Sequence, residues 1–399
     1  MPPTLSILVR NRDFRRLFSA DLIGLGADWF VQIPLLTLLL QLTGSGLWGA
    51  LILAADVGVI ALLQPYAGVI ADRVDRRRIL VAAELAMAVA TLALLLVRTA
   101  ETAWLAVAAI AVIAVAKAFF VPAAAAALPN VVDAEDLPAA NALSGSAWGT
   151  MLVVGASLGG IASALVGAYW CFAVSSALCF LSALQVARVR RPLQVQLAAV
   201  KPEIGEAVRY IRGHPKVASL VTVKAAVGLG NGVLTTFPLL AAAYGVGPLG
   251  VGLLFAARGL GALIGPFVLR RVLSHPSWLL PGLAVSMSVY GLTYLAASTS
   301  PWFPLVLACV TLAHLAAGGN WMMSNYALQA EVPDALRGRV FATDVMLALL
   351  SVAVSQLIVG AFVDRVDPRV LVAICGAVTL VYAAGWAAVT TRQHRAVSL

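Results

Sequence analysis

The chain consists of long apolar runs separated by short polar segments. The runs do not alternate apolar and polar residues with the period of two that lipid-facing strands show. A helix needs about 20 apolar residues to cross the hydrocarbon core of a bilayer. The pattern therefore predicts an all-α integral membrane protein with twelve transmembrane helices, over residues 16–41, 47–70, 79–98, 103–128, 139–165, 168–188, 217–243, 249–270, 278–298, 303–330, 339–362 and 370–391.

Composition and charge support this prediction and orient the chain. Hydrophobic residues make up 61% of the sequence and charged residues only 11%. Most Lys and Arg residues fall in alternate connections, beginning with the N-terminal arm. The positive-inside rule places these connections, and both termini, in the cytoplasm, with the protein in the inner cell membrane. The net charge of +9 thus reflects membrane orientation, and no basic patch with interleaved aromatic residues indicates nucleic-acid binding.

The two halves of the chain share short matches at a nearly constant offset. Gly24-Leu25-Gly26 in span 1 corresponds to Gly228-Leu229-Gly230 in span 7, and spans 2 and 4 have counterparts in spans 8 and 10. Parallel repeats of this kind are common in transporters. We predict two pseudo-symmetric six-helix halves, 1–188 and 217–399, joined by a cytoplasmic linker, 189–216. Helical spacing of Ile204, Val208 and Ile211 predicts an interfacial amphipathic helix in this linker; a simple solvated linker is the alternative.

The loop between spans 2 and 3 carries a recognisable motif. Gly68-x-x-x-Asp72-Arg73-x-x-Arg76-Arg77 resembles the 2–3 loop signature of the major facilitator superfamily, and Asp75 stands where that family usually has Gly. The likeness extends over essentially the whole chain. Segments at residues 11–18, 120–123 and 206–215 are similar to the drug:proton antiporter subgroup that includes macrolide efflux and enterobactin export proteins. The resemblance implies alternating access between two rocking halves.

A glycine cluster in span 5 is similar to the antiporter motif of that family. Gly155, Gly159 and Gly160 match its glycines, whereas Ala156 replaces its proline. Glycines at this spacing let helices approach closely, so ordinary packing explains them equally well.

The charged loop has a predicted role as a cytoplasmic gate. A carboxylate is stabilised at the N-terminus of a helix, and the resemblance implies that the neighbouring helix is span 11. Asp72 is therefore expected to latch onto the start of span 11 when the transporter faces outward. Arg73, Arg76 and Arg77 are expected to reach acids after span 4, namely Asp133, Glu135 or Asp136. The alternative is a basic loop that only orients the chain.

Ionisable residues inside spans are costly and are therefore functional candidates. At a rise of 1.5 Å per residue, Asp28, Lys117 and Arg258 lie about 18 Å from the cytoplasmic side, near the midplane, and Asp56 lies further out. We expect mutual pairing of these charges. The resemblance implies that spans 1 and 4 both line the central cavity, which favours a pair between Asp28 and Lys117. Asp28 or Asp56 is the expected proton carrier; a static ion pair needed only for folding is the alternative.

Other polar residues in the spans have several possible roles. Lys224 and Asp344 lie close enough to the cytoplasmic side to snorkel or to pair locally, and Glu84 is expected near the arginine loop. His314 is either a titrating group or a core histidine. A mostly apolar substrate cavity with a few polar groups is expected from residues on cavity-lining spans, namely Trp29, Gln32, Phe119, Phe120, Asn320, Trp321 and Asn325.

Enzyme and ATPase signatures are absent from the sequence, so we expect neither catalysis nor direct use of ATP, and no cofactor or metal. The favoured function is proton-coupled efflux of amphipathic small molecules, including multidrug efflux, by a monomer. The alternatives are a lipid or lysolipid translocator and a non-transporting membrane receptor on the same fold.

Overall fold

The structure is a computed structural model that describes residues 3–194, 204–270 and 276–397, and every regular element in these ranges is helical. Short 3-10 turns supplement sixteen α-helices: α1 (Pro3–Arg10), α2 (Arg12–Thr43), α3 (Leu47–Arg73), α4 (Arg76–Ala93), α5 (Trp104–Val131), α6 (Leu137–Val166), α7 (Ala168–Ala187), α8 (Ile204–Gly213), α9 (Pro215–Thr222), α10 (Lys224–Gly230), α11 (Phe237–Ala243), α12 (Gly247–Leu269), α13 (Leu279–Thr299), α14 (Phe303–Glu331), α15 (Asp334–Phe362) and α16 (Pro368–Val397).

Twelve membrane-spanning segments are found among the described residues, as the sequence predicted. Their ends lie within a few residues of the predicted bounds, and the fold class is confirmed. The first six pack together through pairs such as α2 with α6 and α3 with α5. The last six do so through α12 with α14 and α13 with α16. This arrangement buries one side of the apolar runs against neighbouring helices and leaves many Leu, Val and Trp side chains exposed on the outside.

The main contacts between the first six spans and the last six are those of α3 with α15 and of α6 with α12. We call the end of the bundle where α2 begins and α3 ends the arginine-rich face, and the other end the opposite face. The closest contacts lie toward the opposite face. There a Cβ added to Gly46 would meet Val363 at 2.9 Å, and one added to Gly160 would meet the Gly252 Cα at 3.0 Å.

Span 7 differs from its prediction as one continuous helix over 217–243. It consists of α9, α10, a 3-10 segment over Asn231–Thr236, and α11. Close packing accompanies the change of pitch, since a Cβ on Gly232 would lie 2.7 Å from the Ser355 carbonyl oxygen of α15. The Gly228 carbonyl also accepts a hydrogen bond of 2.9 Å from the Ser355 hydroxyl. A 3-10 stretch within a long helix often marks a hinge or local strain.

The linker segment contains a helix, α8. Ala207 on this helix is fully buried against the last six spans, and Glu206 forms a salt bridge with Arg339 near the start of α15. The helix therefore packs on the arginine-rich end of α15 instead of lying free in solvent.

Candidate functional site

A three-residue ion cluster lies inside the first six spans. The Lys117 ammonium group on α5 donates hydrogen bonds to Asp28 on α2 at 2.8 Å and to Asp56 on α3 at 2.7 Å. The structure thus brings together the expected pair of Asp28 and Lys117 and adds Asp56 to it. All three side chains are largely buried, with 13–18% of each exposed. One lysine therefore holds two carboxylates, so the cluster carries a charge of −1 when both are ionised and none after one proton is added.

A second ion pair lies within the last six spans. Lys224 on α10 pairs with Asp344 on α15, and the two side chains are essentially inaccessible to solvent. Its ammonium group also donates to the Asn325 amide oxygen at 2.7 Å and lies 4.5 Å from the centre of the Trp321 ring. Of the two expectations for these charges, local pairing is confirmed. A buried charge without its partner is strongly destabilising, so each member of the pair depends on the other.

Arg258 on α12 does not join either cluster, and the expectation that it pairs with the midplane acids is wrong for this conformation. Its guanidinium carbon lies 5.5 Å from the ring centre of Trp29 and 5.6 Å from that of Trp148. Lys117 already occupies Asp28 and Asp56. The arginine therefore stacks near two indoles, which attract a cation through their π faces.

A cavity of about 800 Å³ separates the two sets of six helices. It extends from Val57 and Val352 at mid-depth to Gln329, two residues before the end of α14 at the arginine-rich face. Its polar wall groups come mainly from the last six spans, namely Lys224, Asn231, Arg258, His314, Asn320, Asn325 and Gln329. The volume and the mixture of apolar and polar groups suit a small-molecule ligand.

The residues predicted for the cavity divide into two groups. Asn320, Trp321 and Asn325 line it, whereas Trp29, Gln32, Phe119 and Phe120 are not part of its lining. Trp29 and Gln32 are buried, and Trp29 packs against Trp148 on the cavity wall with ring centres 6.2 Å apart. The helix of Trp29 and Gln32, α2, contacts α12 of the other half, but these two side chains do not reach the cavity.

The charged 2–3 segment is mostly helical and not the loop that was expected. Gly68, Asp72 and Arg73 belong to α3, and Asp75 is the N-cap of α4, where its carboxylate accepts from the Arg78 amide at 3.0 Å. Asp75 therefore starts a helix where the family's glycine would make a turn. The side chain of Asp72 lies outside the described residues, so its expected latch stays a prediction.

The arginines of this segment contact backbone carbonyl groups. Arg76 donates to the Ala126 carbonyl at 2.7 Å, and Arg77 donates to the Arg191 carbonyl at 3.1 Å. The acids after span 4 have other partners, because Asp136 pairs with Arg10 and Asp133 with Arg191. Arg10 and Arg191 therefore hold Asp136 and Asp133 in this conformation, and the expected contacts of Arg73, Arg76 and Arg77 with the acids after span 4 stay a prediction. Arg76 and Arg77 fix the start of α4 to neighbouring segments.

The glycines of the antiporter-like motif lie at close helix contacts. A Cβ on Gly155 would come within 2.8 Å of the Gly26 carbonyl oxygen, and one on Gly159 within 2.6 Å of the Phe30 carbonyl oxygen. Gly160 faces α12 at its contact with Gly252. Tight packing of α6 on α2 and α12 therefore accounts for all three glycines in this conformation.

Glu84 occupies a buried position that sequence reasoning placed differently. It is fully buried, and its Oε1 lies 2.6 Å from the Ser182 hydroxyl, not next to the arginine segment. The Ser182 oxygen is also 2.9 Å from the Ala20 carbonyl oxygen. A hydroxyl has one proton to donate, so it donates to one oxygen at a time. In the sequence, Glu84 is a carboxylate within an apolar run. This position predicts the depth of the residue in the membrane but not which residues it contacts.

Comparison with known proteins agrees with this architecture. The family model described as Major Facilitator Superfamily matches residues 22–343. The chain is 26% identical over 356 residues to "Enterobactin exporter EntS" of Salmonella typhi, covering 84% of this chain and 82% of the relative. It is 26% identical over 364 residues, with the same coverage, to the protein of that name from Escherichia coli O1:K1 / APEC.

Solved structures also resemble this fold at low sequence identity. A structure of the peptide transporter POT has a TM-score of 0.76 at 12% identity, covering 96% of this chain and 95% of that chain. A bacterial homologue of the human lysosomal transporter Spinster, in an inward-facing and occupied conformation, has a TM-score of 0.75 at 16% identity. That match covers 98% of both chains.

Proposed function

Because the chain belongs to the Major Facilitator Superfamily, we propose that this membrane transporter is a proton-coupled exporter of amphipathic small molecules. The observation that carries the proposal is the cluster of Asp28, Asp56 and Lys117. A buried net charge is expensive in a low-dielectric site, and adding one proton removes the net charge from this cluster. Proton binding there is therefore sensitive to whether water reaches the cluster, which is what coupling to alternating access requires.

The conformation of the two sets of helices corresponds to one state of the transport cycle. Close contacts join α3 to α15 and α6 to α12 toward the opposite face, and the cavity reaches Gln329 near the arginine-rich face. The excess of Lys and Arg at the latter face favours the cytoplasmic side. We assign this arrangement as the inward-facing state, in which substrate enters from the cytoplasm. Rocking of 1–188 against 217–399 about the linker 189–216 would then open the other side.

The direction of transport rests on the relatives, which carry the name of an exporter. Export against a substrate gradient needs an energy source, and proton entry through the Asp28–Lys117–Asp56 cluster supplies one. The Lys224–Asp344 pair is less suited to this role, because its two charges already balance and are closed to solvent.

The test is transport by purified protein in proteoliposomes under an imposed pH gradient. The substrates screened are a dye (Hoechst 33342), erythromycin, enterobactin and lysophosphatidylcholine. Gradient-driven transport is expected in the wild type and is expected to be lost in Asp28→Asn and in Asp56→Asn, while exchange without a gradient persists. Glu101→Gln is the matched control, since Glu101 is an exposed acid between α4 and α5. Equal rates with and without the gradient in the wild type would contradict proton coupling.

The same screen distinguishes the proposed exporter from a lipid translocator. A lipid translocator would move lysophosphatidylcholine and none of the other compounds. A receptor on this fold would move none of the four, and would not move an organic monoanion such as 2-naphthoate either.

A further inference from the structure

Arg258 has unsatisfied hydrogen-bonding capacity on the cavity wall. Within the described part of the chain its guanidinium forms no hydrogen bond or ion pair, and its Nε is buried without an acceptor. Lys224, the other basic residue on the same wall, is neutralised by Asp344. Within the described residues, the cavity wall therefore carries one positive charge that no carboxylate contacts directly.

A second donor without an acceptor lies beside it. The indole N–H of Trp29 is buried with no hydrogen-bond partner, and its ring centre is 5.5 Å from the Arg258 guanidinium carbon. Trp29 is 7% exposed. Buried donors are nearly always satisfied in folded proteins, so an unsatisfied pair calls for an explanation. A bound ligand that carries a hydrogen-bond acceptor would explain why these donors have no partner in the protein.

We infer that Arg258 is the recognition site for an acidic group of the substrate, and that the transported class is organic monoanions with an aromatic or other apolar body. This inference rests on the proposed transport function. A guanidinium binds a carboxylate or phosphate through two parallel hydrogen bonds. The indoles of Trp148 and Trp321, which both line the cavity, supply flat apolar surfaces for the rest of the molecule.

The test compares an anion with its neutral analogue, using 2-naphthoate and 2-naphthamide. Binding to purified protein in nanodiscs is measured by calorimetry, so the result does not depend on proton coupling. We expect the wild type to prefer the anion and Arg258→Gln to reduce that preference by about 10- to 100-fold, the range for a hydrogen bond to a charged group. Arg258→Lys should retain part of it, because the charge remains without the bidentate geometry.

Arg98→Gln is the matched control, because Arg98 also lies over an aromatic ring, that of Tyr169 at 3.8 Å, but outside the cavity. It should leave the preference unchanged. Equal loss of both ligands in Arg258→Gln would overturn the inference and assign Arg258 to packing. A wild type that binds the two ligands equally would overturn it as well. Loss of gradient-driven transport with the anion preference intact would refute only the proposed proton coupling.

A second observation concerns the two ends of the bundle. The segment Gly360-x-x-x-Asp364-Arg365-Val366-Asp367-x-Arg369 repeats the pattern Gly68-x-x-x-Asp72-Arg73-Val74-Asp75-x-Arg77 residue for residue. The first copy lies at the end of α3, at the arginine-rich face, and the second lies at the end of α15, at the opposite face. The second aspartate of each copy accepts from a backbone amide at the start of the next helix. Asp75 caps α4 in this way, and Asp367 accepts from the Arg369 amide at 2.7 Å at the start of α16.

The first aspartate of the second copy joins the two halves. Asp364 accepts from the Gly46 amide at 2.6 Å and from the Ser45 hydroxyl, so it caps the N-terminus of α3 from the other half of the bundle. A carboxylate is favoured there by the free amide groups and the helix dipole. Gly360 packs at the same contact, where an added Cβ would meet the Ala50 Cβ at 2.4 Å.

We propose that Asp364 is a latch that holds the opposite face closed. Its placement is reciprocal to that of the first copy, since the helix that precedes each motif packs against the helix that precedes the other. The two copies would then act in alternate states, each closing one face.

The experiment measures the separation of the opposite-face ends of α6 and α12 by electron–electron resonance, with spin labels at Leu165→Cys and Leu249→Cys. Asp364→Ala should raise the population of the separated form by at least about 10- to 100-fold, the range for a single hydrogen bond to a charged group, because two such bonds are lost. Asp367→Ala is the control and should leave the distances unchanged. An unchanged distribution in Asp364→Ala, or an equal shift in both variants, would overturn the latch.

Discussion

The glycines of the two motif copies provide a test with opposite expected outcomes at the two ends of the molecule. A Cβ at Gly360 would lie 2.4 Å from the Ala50 Cβ, whereas a Cβ at Gly68 would meet nothing within 4 Å. Carbon atoms pack at about 3.5–4.0 Å, so Gly360→Ala requires α15 and α3 to separate by about 1 Å in this conformation. Gly68→Ala requires no movement.

The energetic consequence follows from the cost of overpacking, which is about 1–3 kcal/mol for a close-packed contact. Each 1.4 kcal/mol changes an equilibrium about tenfold. Gly360→Ala should therefore shift the population away from closure of the opposite face by about 5- to 150-fold. If the first copy closes the arginine-rich face in the alternate state, Gly68→Ala should oppose that state by a similar factor and stabilise the present one.

The assay uses spin-label distances at both faces of purified protein in nanodiscs. Leu165→Cys with Leu249→Cys reports the opposite face, and Asn141→Cys with Phe267→Cys reports the arginine-rich face. The four native cysteines are buried, so labelling is directed to the introduced ones. Shifts of the same sign in Gly360→Ala and Gly68→Ala would refute the reciprocal arrangement.

Three further predictions concern packing and buried polar groups. Gly159→Ala should lower the free energy of unfolding by about 1–3 kcal/mol, since its Cβ would lie 2.6 Å from a backbone carbonyl of α2. Gly145→Ala on the same helix has open space around its Cβ and should be neutral. Thermal unfolding followed by fluorescence-detected size-exclusion chromatography checks both variants. Lys224→Met alone should cost about 3–5 kcal/mol and should be partly rescued by adding Asp344→Leu, in the same assay; an unrescued double variant would contradict mutual dependence. Glu84→Gln should stay within about 1 kcal/mol of the wild type because an amide can still hydrogen-bond the neighbouring serine; a large loss of melting temperature would show that the acid itself is needed.

The sequence was sufficient to predict the number of spans and the depth of the buried charges, because length and composition decide both. The pairing of Asp28 with Lys117 followed from their equal depth together with the family resemblance, which places spans 1 and 4 beside the same cavity. Asp56 was placed further out from its position along the chain. The long Lys117 side chain nevertheless reaches both carboxylates, and reach of this kind depends on helix tilt and rotation, which a hydropathy pattern does not contain.

Other features depend on tertiary contacts that no local pattern specifies. The 3-10 segment in span 7 lies where Gly232 approaches the backbone of α15. Arg258 was predicted to seek an acid, but Lys117 holds the midplane acids and the arginine stacks on Trp29 and Trp148 instead. Whether Lys117 or Arg258 pairs with Asp28 and Asp56 depends on how the helices are arranged in the fold.

The central claim is that the Asp28–Lys117–Asp56 cluster carries the transported proton. Infrared difference spectroscopy of the protein during a pH change measures this directly, through the carbonyl stretch of a protonated carboxyl group, and needs no substrate. We predict such a band in the wild type and in Glu101→Gln, and a lower intensity of it in the double variant Asp28→Asn, Asp56→Asn, in which only other buried carboxyl groups such as Glu84 contribute. A band that persists unchanged in the double variant would contradict the account.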